Sequence, residues 1–313
     1  MQFRVERPLV IIVGPTAVGK TDLAVEVAEN LKGVIISADS RYLYRGMNIG
    51  TAKPDEEQLN RVKHYLIDAA NIEENWSLAV YKGKALSAFE TVWENNKLPF
   101  LVGGIGQYIR AIIEGWQIPE RKPNSHLRQI LKKIAENEGR ESLHLKLGII
   151  DLQAATRIDY RNLRRVIRAL EVSLTTGKRF SEQRTRGKID FHYKLIGLIR
   201  PREELYQRID KRIEIMLEEG LIQEVRGLLE KGYSLKNPPL SAIGYREIIN
   251  FLQGEIELEE AVRLIKRRTR KFVRRQANWF KQNDPRIRWF DMNKGTVQKI
   301  IEYIKSPGGW QNE

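Results

Sequence analysis

The residues best suited to chemistry near the start of the chain form one stretch, 14–21, with the sequence GPTAVGKT. It matches G-x-x-x-x-G-K-[ST], the pattern of a loop whose backbone amides hold phosphate groups. In this pattern the lysine adds a full positive charge and the final hydroxyl is offered to Mg²⁺. The residues predicted to bind phosphate are Gly14, Pro15, Thr16, Ala17, Val18, Gly19, Lys20 and Thr21.

The segments on either side of this loop agree with the motif. Residues 8–13 (PLVIIV) predict a short buried strand, and Leu23, Val27 and Leu31 recur at helical spacing after the loop. A helix N-terminus then follows the glycines, and its dipole favours an anion. A chance match on a tight turn is the alternative, and the two flanking elements argue against it.

A carboxylate and a second glycine turn are expected beside this loop. Asp39 follows a predicted strand at 33–38, and the glycine-rich residues 103–106 follow another at 97–102. Ligands of parallel α/β sheets bind beyond the carboxyl ends of the strands. Three roles stay open for Asp39 at this stage: a Mg²⁺ ligand, a general base, or a cap of the next turn.

Two arginines on a later helix face the same edge. Residues 193–199 predict a strand, and Arg208 and Arg212 lie four residues apart on the helix that follows. One of them could reach the phosphate site. Pairing with Glu204 or Glu214 is the alternative.

The positive charge of the chain is clustered. Its formal net charge is +14 and its isoelectric point about 9.8, which indicates a polyanionic partner, most often nucleic acid. Residues 263–275 hold eight Lys or Arg and no acid, and the helical pattern at 151–172 carries five arginines. A solvated basic face is the alternative. A phosphate-backbone contact is favoured because few acids are near in sequence.

Composition and patterning together predict the fold class. The 313 residues are 42% hydrophobic and include no cysteine, which excludes disulfides and thiolate chemistry, and the four histidines lack metal-ligand spacing. No run reaches membrane-span length and no signal peptide is evident. We predict an α/β fold, a P-loop-containing parallel sheet flanked by helices. The core is expected at 1–119 and 190–313, with C-terminal basic helices, and a helical insertion domain at 120–189.

Nine blocks of the chain, in order, resemble those of one enzyme family. They are GPTAVGKT at 14–21, ISADSRYLYRGMNIGTAKP at 36–54, HYLID at 64–68, GGIGQY at 103–108, RRVIRALEV at 164–172, RIDKR at 208–212, GLIQEV at 220–225, AIGYRE at 242–247 and TRKFVRRQANWF at 269–280. The second and the last are the most specific. The chain resembles the bacterial tRNA dimethylallyltransferases (isopentenyl-diphosphate:tRNA transferases).

The resemblance implies a P-loop-kinase-like sheet that binds dimethylallyl diphosphate rather than ATP, with Mg²⁺ as cofactor. The prenyl group passes to the exocyclic amine of adenosine at tRNA position 37, giving N6-(dimethylallyl)adenosine. Lys20 and Thr21 then contact the diphosphate and Mg²⁺, Asp39 is the catalytic base, and Arg212 stabilises the departing oxygen. We expect a cytoplasmic monomer that binds the anticodon stem-loop of tRNA and no membrane.

The resemblance also implies a set of tRNA-contacting residues, in the insertion domain and in the core. They are Asp39, Ser40, Arg41, Tyr42, Ile105, Arg128, Arg164, Arg165, Val166, Ile167, Arg168, Ser241, Ala242, Ile243, Gly244, Tyr245, Arg246, Arg274, Arg275, Gln276, Ala277, Asn278, Trp279, Phe280 and Lys281.

Five positions depart from the family pattern. Ile105 stands where the family has a threonine, whose hydroxyl would assist the bridging oxygen or the target base, so we expect a working enzyme with a weakened step. Tyr42 replaces a frequent glutamine near the target adenosine. The others are Leu152 for proline, Asn162 for aspartate and Asn278 for threonine.

Three other functions remain as alternatives. A P-loop kinase of nucleotides or small molecules would explain the loop but not the basic helices, and ATP turnover without RNA would reveal it. The adenylate prenyltransferase of cytokinin synthesis shares the loop and the aspartate but acts on a free nucleotide. A non-enzymatic RNA-binding protein explains the charge and leaves Lys20, Thr21 and Asp39 without a role.

Overall fold

Six strands form one sheet in the computed structural model, which describes residues 5–118, 124–183 and 185–312. The strands are β1 (Pro8–Val13), β2 (Val34–Ser37), β3 (His64–Tyr65), β4 (Pro99–Gly103), β5 (His192–Ile199) and β6 (Ile287–Asp291). Their order across the sheet is β3-β2-β4-β1-β5-β6, and every neighbouring pair is parallel.

Thirteen α-helices and one 3₁₀ helix (Pro238–Ser241) connect or follow these strands within the described residues. The α-helices are α1 (Lys20–Asn30), α2 (Glu56–Arg61), α3 (Leu78–Glu94), α4 (Gly106–Ile113), α5 (Ser125–Asn137), α6 (Arg140–Ile150), α7 (Leu152–Arg157), α8 (Leu163–Thr176), α9 (Arg202–Glu218), α10 (Leu221–Glu230), α11 (Tyr245–Leu252), α12 (Leu258–Ala277) and α13 (Thr296–Lys305). None of these helices is both long and apolar enough to cross a lipid bilayer.

The central strands are apolar throughout because helices cover the sheet. All five residues of β4 and five of the six in β1 are buried, as is typical of parallel sheets. Val13, the last residue of β1, is aligned with Gly103 of β4 and with Gly197 of β5, so the carboxyl ends of these strands lie along one edge of the sheet. The α/β prediction, with a parallel sheet flanked by helices, is confirmed.

Two details of the sequence interpretation are wrong. The pattern at 151–172 predicts one helix, but the structure has α7 and α8, separated at residues 158–162. Asn162 ends that gap as the N-cap of α8, its side chain accepting from the Arg165 amide at 3.3 Å. The strand β3 was also not predicted. It has two residues and pairs only with β2, so it leaves little pattern in the sequence.

The chain divides into two compact units. One comprises Met1–Ile113 with Ile189–Glu313 and contains the sheet; the other is Glu114–Lys188 and is helical. The predicted boundary at 119/120 lies outside the described residues. The helical unit begins earlier, at Glu114, because Gly187 donates to the Gly115 carbonyl and Gln117 donates to that of Thr185, both at 2.9 Å.

A buried lysine fixes the last helix to the sheet. Lys194 of β5 is fully buried, and its ammonium donates to the carbonyls of Tyr303 and Ser306 and to the Ser306 hydroxyl, the Ser306 oxygens lying at 2.8 and 3.1 Å. The rings of Tyr303 and Trp310 flank the charge at 4.4 and 4.9 Å. A cation thus meets the carbonyl end of α13, where the helix dipole favours it. Burial lowers the pKa of Lys194 to about 8.

Candidate active site

The loop at 14–19 joins β1 to α1 and turns back on itself at the carboxyl edge of the sheet. Gly19, the residue before α1, has a φ of +99°, a conformation that glycine adopts at little cost. The first amides of α1 have no acceptor within the helix. They therefore present N–H groups where the sequence predicts phosphate binding.

Cations hold the carbonyl groups of this loop. The Lys20 ammonium donates to the Gly14 and Pro15 carbonyls at 3.0 and 2.8 Å. Arg200, which directly follows β5, donates from Nε to the Val18 carbonyl at 3.0 Å, and Arg208 of α9 donates from Nε to that of Ala17 at 2.8 Å. With its carbonyls engaged in this way, the loop is left with amides for an incoming anion. Arg200 was not singled out in the sequence, where nothing local marks it.

The pKa of Lys20 lies close to neutral pH. Burial lowers its pKa from 10.5 to about 8, the carboxylate of Asp39 acts in the opposite direction, and the guanidinium of Arg212 lowers it further. These three side chains are therefore close enough to influence one another. Arg208 contacts the loop through the Ala17 carbonyl, whereas Arg212 donates to the Thr51 carbonyl and acts on Lys20 through its charge. The alternative partners are engaged elsewhere, Glu204 with Arg200 and Glu214 with Lys266.

Asp39 lies just beyond β2 and caps the turn that follows. Its Oδ1 accepts the Arg41 amide at 2.9 Å, and its own amide donates to the Ser37 hydroxyl at 3.2 Å. The bond from the Arg41 amide orients the Asp39 carboxylate, which lines the same cavity as Lys20. The capping role is thus observed, and it is compatible with a role as base.

A side chain from α12 fixes the phosphate loop and the second glycine turn together. Gln276 is 4% exposed; its Oε1 accepts the Thr16 amide at 2.8 Å and its Nε2 donates to the Gly104 carbonyl at 3.2 Å. A Cβ on Gly104 would lie 2.2 Å from that Nε2, so any other residue there would displace the Gln276 amide. Trp279, one turn after Gln276, packs so closely on Gly106 that a Cβ there would lie 2.3 Å from the Trp279 side chain.

The segment 41–54 forms another wall of the cavity and is fixed by two charged side chains, Glu224 and Lys53. The Glu224 carboxylate on α10 accepts the amides of Asn48, Ile49 and Gly50 at 2.8, 2.8 and 3.1 Å. Lys53 binds Asp68 and the Tyr44 carbonyl, and its side chain is only 5% exposed, so it is not the solvated side chain that its place in a loop would suggest. Glu224 was not anticipated, because its contacts lie about 175 residues away in sequence.

These walls enclose one cavity of about 1360 Å³ in the sheet-containing unit. Lys20, Thr21, Asp39, Tyr42, Ile105, Arg208, Arg212 and Ser241 are among the residues that line it. The predicted anion site and the predicted base therefore share one solvent-accessible space. That arrangement suits displacement of a diphosphate by a nucleophile that must lose a proton.

The described residues contain no cluster of three or more His, Cys, Asp or Glu side chains that could hold a metal by themselves. Mg²⁺ does not need one, since it is commonly held by one or two protein oxygens, phosphate oxygens and water. The Thr21 hydroxyl at the start of α1 and the Asp39 carboxylate line the same cavity. This donor set fits Mg²⁺ bound together with a diphosphate.

A family model described as IPP transferase matches residues 42–283. The chain belongs to the IPP transferase family. Relatives named tRNA dimethylallyltransferase include one from Thermomicrobium roseum, 44% identical over 300 residues that cover 96% of this chain and 91% of the relative. Another, from Roseiflexus sp., is 46% identical over 275 residues, or 88% of this chain and 90% of the relative.

Solved structures of the IPP transferase family have the same fold. The full-length tRNA isopentenylpyrophosphate transferase of Bacillus halodurans superposes with a TM-score of 0.71 at 39% identity, covering 96% of each chain. A eukaryotic dimethylallyltransferase, described as acting on tRNA, gives a TM-score of 0.81 at 26% identity, covering 95% of this chain and 78% of the other. The resemblance seen in the sequence is confirmed.

Many of the tRNA-contacting residues implied by the IPP transferase resemblance are exposed in the structure, but several have buried side chains. Among the exposed ones are Arg164, Arg165, Arg246, Arg274, Arg275 and Lys281; the buried ones are Val166, Ala242, Tyr245, Gln276 and Phe280. Periodicity explains the difference, because every helix that contacts a ligand also packs against its own core.

The cationic face of α12 is half neutralised, contrary to the expectation from the sequence. Arg263, Lys266, Arg268 and Arg270 pair with Glu260, Glu214, Glu247 and Asp210. Three of those acids belong to α9 and α11, so no local pattern reveals them. The cations of this segment that form no ion pair within the described residues are Arg267, Lys271, Arg274 and Arg275.

Acids in the helical unit also hold part of its arginine cluster. Glu171, 2% exposed, accepts from both Arg128 and Arg168, and Arg161 pairs with Asp159. Arg128 and Arg168 thus stabilise a buried carboxylate as well as facing solvent. Arg164 and Arg165, at the start of α8, have no ion pair in the described part of the chain.

Proposed function

We propose that this chain transfers the dimethylallyl group of dimethylallyl diphosphate to the exocyclic amine of adenosine 37 in the tRNA anticodon stem-loop. The observation that carries this proposal is the single cavity in which the phosphate-type loop, Lys20 and Arg212 face the Asp39 carboxylate. Membership of the IPP transferase family supports the choice of substrates. A monomer located in the cytoplasm remains our prediction.

The negative charge that develops on the leaving group explains why cations line the site. As the allylic C–O bond breaks, its electron pair passes to the diphosphate, which gains negative charge. The loop amides, the Lys20 ammonium and the Arg212 guanidinium are donors already fixed around that position, so they stabilise the charge without reorganising. The Thr21 hydroxyl would hold Mg²⁺ together with the diphosphate, and that ion would supply further positive charge at the phosphate oxygens.

The chemistry of the acceptor, the adenine amine, explains why the Asp39 carboxylate is needed. The adenine amine forms a new N–C bond and must release a proton, which Asp39 accepts. The Arg41 amide keeps the carboxylate oriented during this step. The target base has to leave the anticodon-loop stack to enter the cavity, which costs a few kcal/mol. The cations of α12 that form no ion pair with a described residue are suited to hold the RNA backbone during this step.

The decisive experiment incubates the protein with unmodified anticodon stem-loops and labelled dimethylallyl diphosphate. We expect transfer that requires Mg²⁺ and stops when EDTA is added. Asp39→Ala should abolish transfer, whereas tRNA binding, measured by filter retention, should persist. Loss of both together would contradict the assignment of Asp39 as base.

The alternatives have different readouts in the same preparation. ATP turnover without RNA would indicate a kinase, and prenylation of free AMP would indicate an adenylate prenyltransferase. Salt-sensitive tRNA binding with no transfer would indicate an RNA-binding protein without this activity.

A further inference from the structure

The Glu224 carboxylate of α10 accepts hydrogen bonds from consecutive residues of the active-site wall. Its Oε2 accepts the amides of Asn48 and Ile49, each at 2.8 Å, and its Oε1 accepts the Gly50 amide at 3.1 Å. The Tyr245 hydroxyl also donates to Oε1, at 2.6 Å. Successive backbone amides form a concavity that binds anions. Here a carboxylate of the same chain occupies it, and this segment of the wall is folded around that charge.

Tyr245 holds both the carboxylate and the segment against the core. Its side chain is fully buried on α11, and a Cβ on Gly50 would lie 2.6 Å from its ring. Burial, and secondly the charge of Glu224, raise the pKa of the Tyr245 phenol well above its usual value, so the hydroxyl keeps the proton that it donates. The family resemblance implies an RNA contact at this position, whereas the hydroxyl binds Glu224.

The segment held in this way presents a carbonyl to the leaving-group site. The Ala52 amide donates to the Ile49 carbonyl at 2.9 Å and closes a tight turn that contains Thr51. The Thr51 carbonyl accepts from Nη2 of Arg212 at 3.0 Å. Thr51 and Arg212 line the active-site cavity, whereas Glu224 does not. Glu224 therefore acts on this site through the backbone that it orders.

We propose that Glu224 is a positioning residue of the leaving-group site: by fixing the amides of residues 48–50 it places the Thr51 carbonyl, which sets the direction of the Arg212 guanidinium. A guanidinium is a planar fork of donors, so a bond to one fixed acceptor orients the donors that remain. Those donors then face the oxygen on which charge develops as the allylic C–O bond breaks. The inference rests on the proposed function through the role of Arg212.

Glu224→Gln tests this role, because it keeps the size of the side chain and replaces one acceptor oxygen by a donor that faces backbone N–H groups. The probe is inorganic pyrophosphate with Mg²⁺, titrated without RNA. We expect roughly tenfold weaker binding, the effect of losing a well-placed hydrogen bond to a charged group, and unchanged affinity for tRNA. Glu230→Gln is the matched control, since Glu230 is exposed on the same helix and does not line the cavity; it should leave pyrophosphate binding intact.

A double-mutant cycle with Arg212→Ala separates positioning from a general loss of stability. In the Arg212→Ala background, Glu224→Gln should change the affinity for pyrophosphate by less than about twofold, because the side chain that it positions is gone. A full tenfold effect in that background would overturn the proposal. Unchanged pyrophosphate affinity in a folded Glu224→Gln protein would overturn it as well.

Tyr245→Phe is a milder variant that removes only the hydroxyl donor and keeps the ring, so it serves even if Glu224→Gln does not fold. We expect about threefold weaker pyrophosphate binding, the effect of losing one neutral donor, with unchanged affinity for tRNA. Weaker tRNA binding with unchanged pyrophosphate binding would overturn the proposal and assign Tyr245 to RNA recognition. If the wild-type protein transfers no prenyl group to RNA, the proposed function fails, but the pyrophosphate cycle still decides the role of Glu224.

Discussion

Burial disfavours the charged form of Lys20 in the absence of substrate. Its pKa of about 8 means that the ammonium predominates at pH 7 and the neutral amine at pH 9. A diphosphate binds the ammonium. Affinity should therefore be high below pH 8 and fall as the pH rises through that value.

We predict that the affinity for pyrophosphate falls about tenfold between pH 7 and pH 9, following the protonated fraction of Lys20. Calorimetry at pH 8.5 in buffers of different ionisation enthalpy should also show proton uptake on binding. Lys20→Met provides the control, because only the ligand's own titration remains in that variant. The same pH dependence in both proteins would assign the titration to another group.

Ile105 lies in the cavity immediately before α4, and its carbonyl accepts the amides of Tyr108 and Ile109. It therefore occupies the capping position of that helix, where threonine is favoured and isoleucine is not.

Ile105→Thr should stabilise the protein by about 1 kcal/mol through the new cap and raise the single-turnover rate of prenyl transfer. Ile105→Val is the matched control, since valine has the shape of threonine without the hydroxyl. An equal rate in the two variants would show that the hydroxyl has no part in the reaction.

At the scale of elements, the end of α12 anchors the active-site loops. Gln276 accepts a hydrogen bond from the Thr16 amide of the phosphate loop and donates one to the Gly104 carbonyl of the second glycine turn. A helix with an exposed cationic face thus shares its inner face with the anion site.

Gln276→Leu should leave both backbone groups unpaired, destabilising the protein by about 1–3 kcal/mol and weakening pyrophosphate binding. Affinity for tRNA should be retained, because the side chain is buried. Chemical denaturation and separate titrations with the two ligands measure these effects. A variant that loses tRNA affinity alone would instead support the RNA contact implied by the family resemblance.

The parts of the fold with a local signal were predictable from the sequence. The strand, loop and helix around Gly14–Thr21, the central strands and α12 all follow from apolar periodicity and glycine placement. The roles of Glu224, Arg200 and Gln276 were not predictable, because each acts on backbone far away in the chain. The carboxylates that neutralise half of α12 were missed for the same reason.

At the scale of the whole molecule, the count of 54 Lys and Arg overstates the cationic surface available to RNA. Arg268 and Arg274 illustrate this point, because they have the same side chain on the same helix. Arg268 compensates Glu247, a carboxylate that is 1% exposed, whereas Arg274 has no ion pair with a described residue.

Replacing Arg274 and Arg275 together by Ala should lower the salt dependence of tRNA binding by about 1.5 in the slope of log K against log salt, and leave the unfolding midpoint unchanged. Arg268→Ala should do the reverse, lowering stability by a few kcal/mol because it leaves a buried carboxylate partly uncompensated, with little change in slope. Equal slopes in both variants would place the RNA on another surface.

The ammonium of Lys194 makes the far end of the polypeptide part of the core beneath β5. Its acceptors belong to Tyr303 and Ser306, and Trp310 stacks beside it, so removal of the final dozen residues would strand a charge in an apolar interior. A deletion series that stops short of residue 306 will consequently report on the integrity of the sheet rather than on RNA binding.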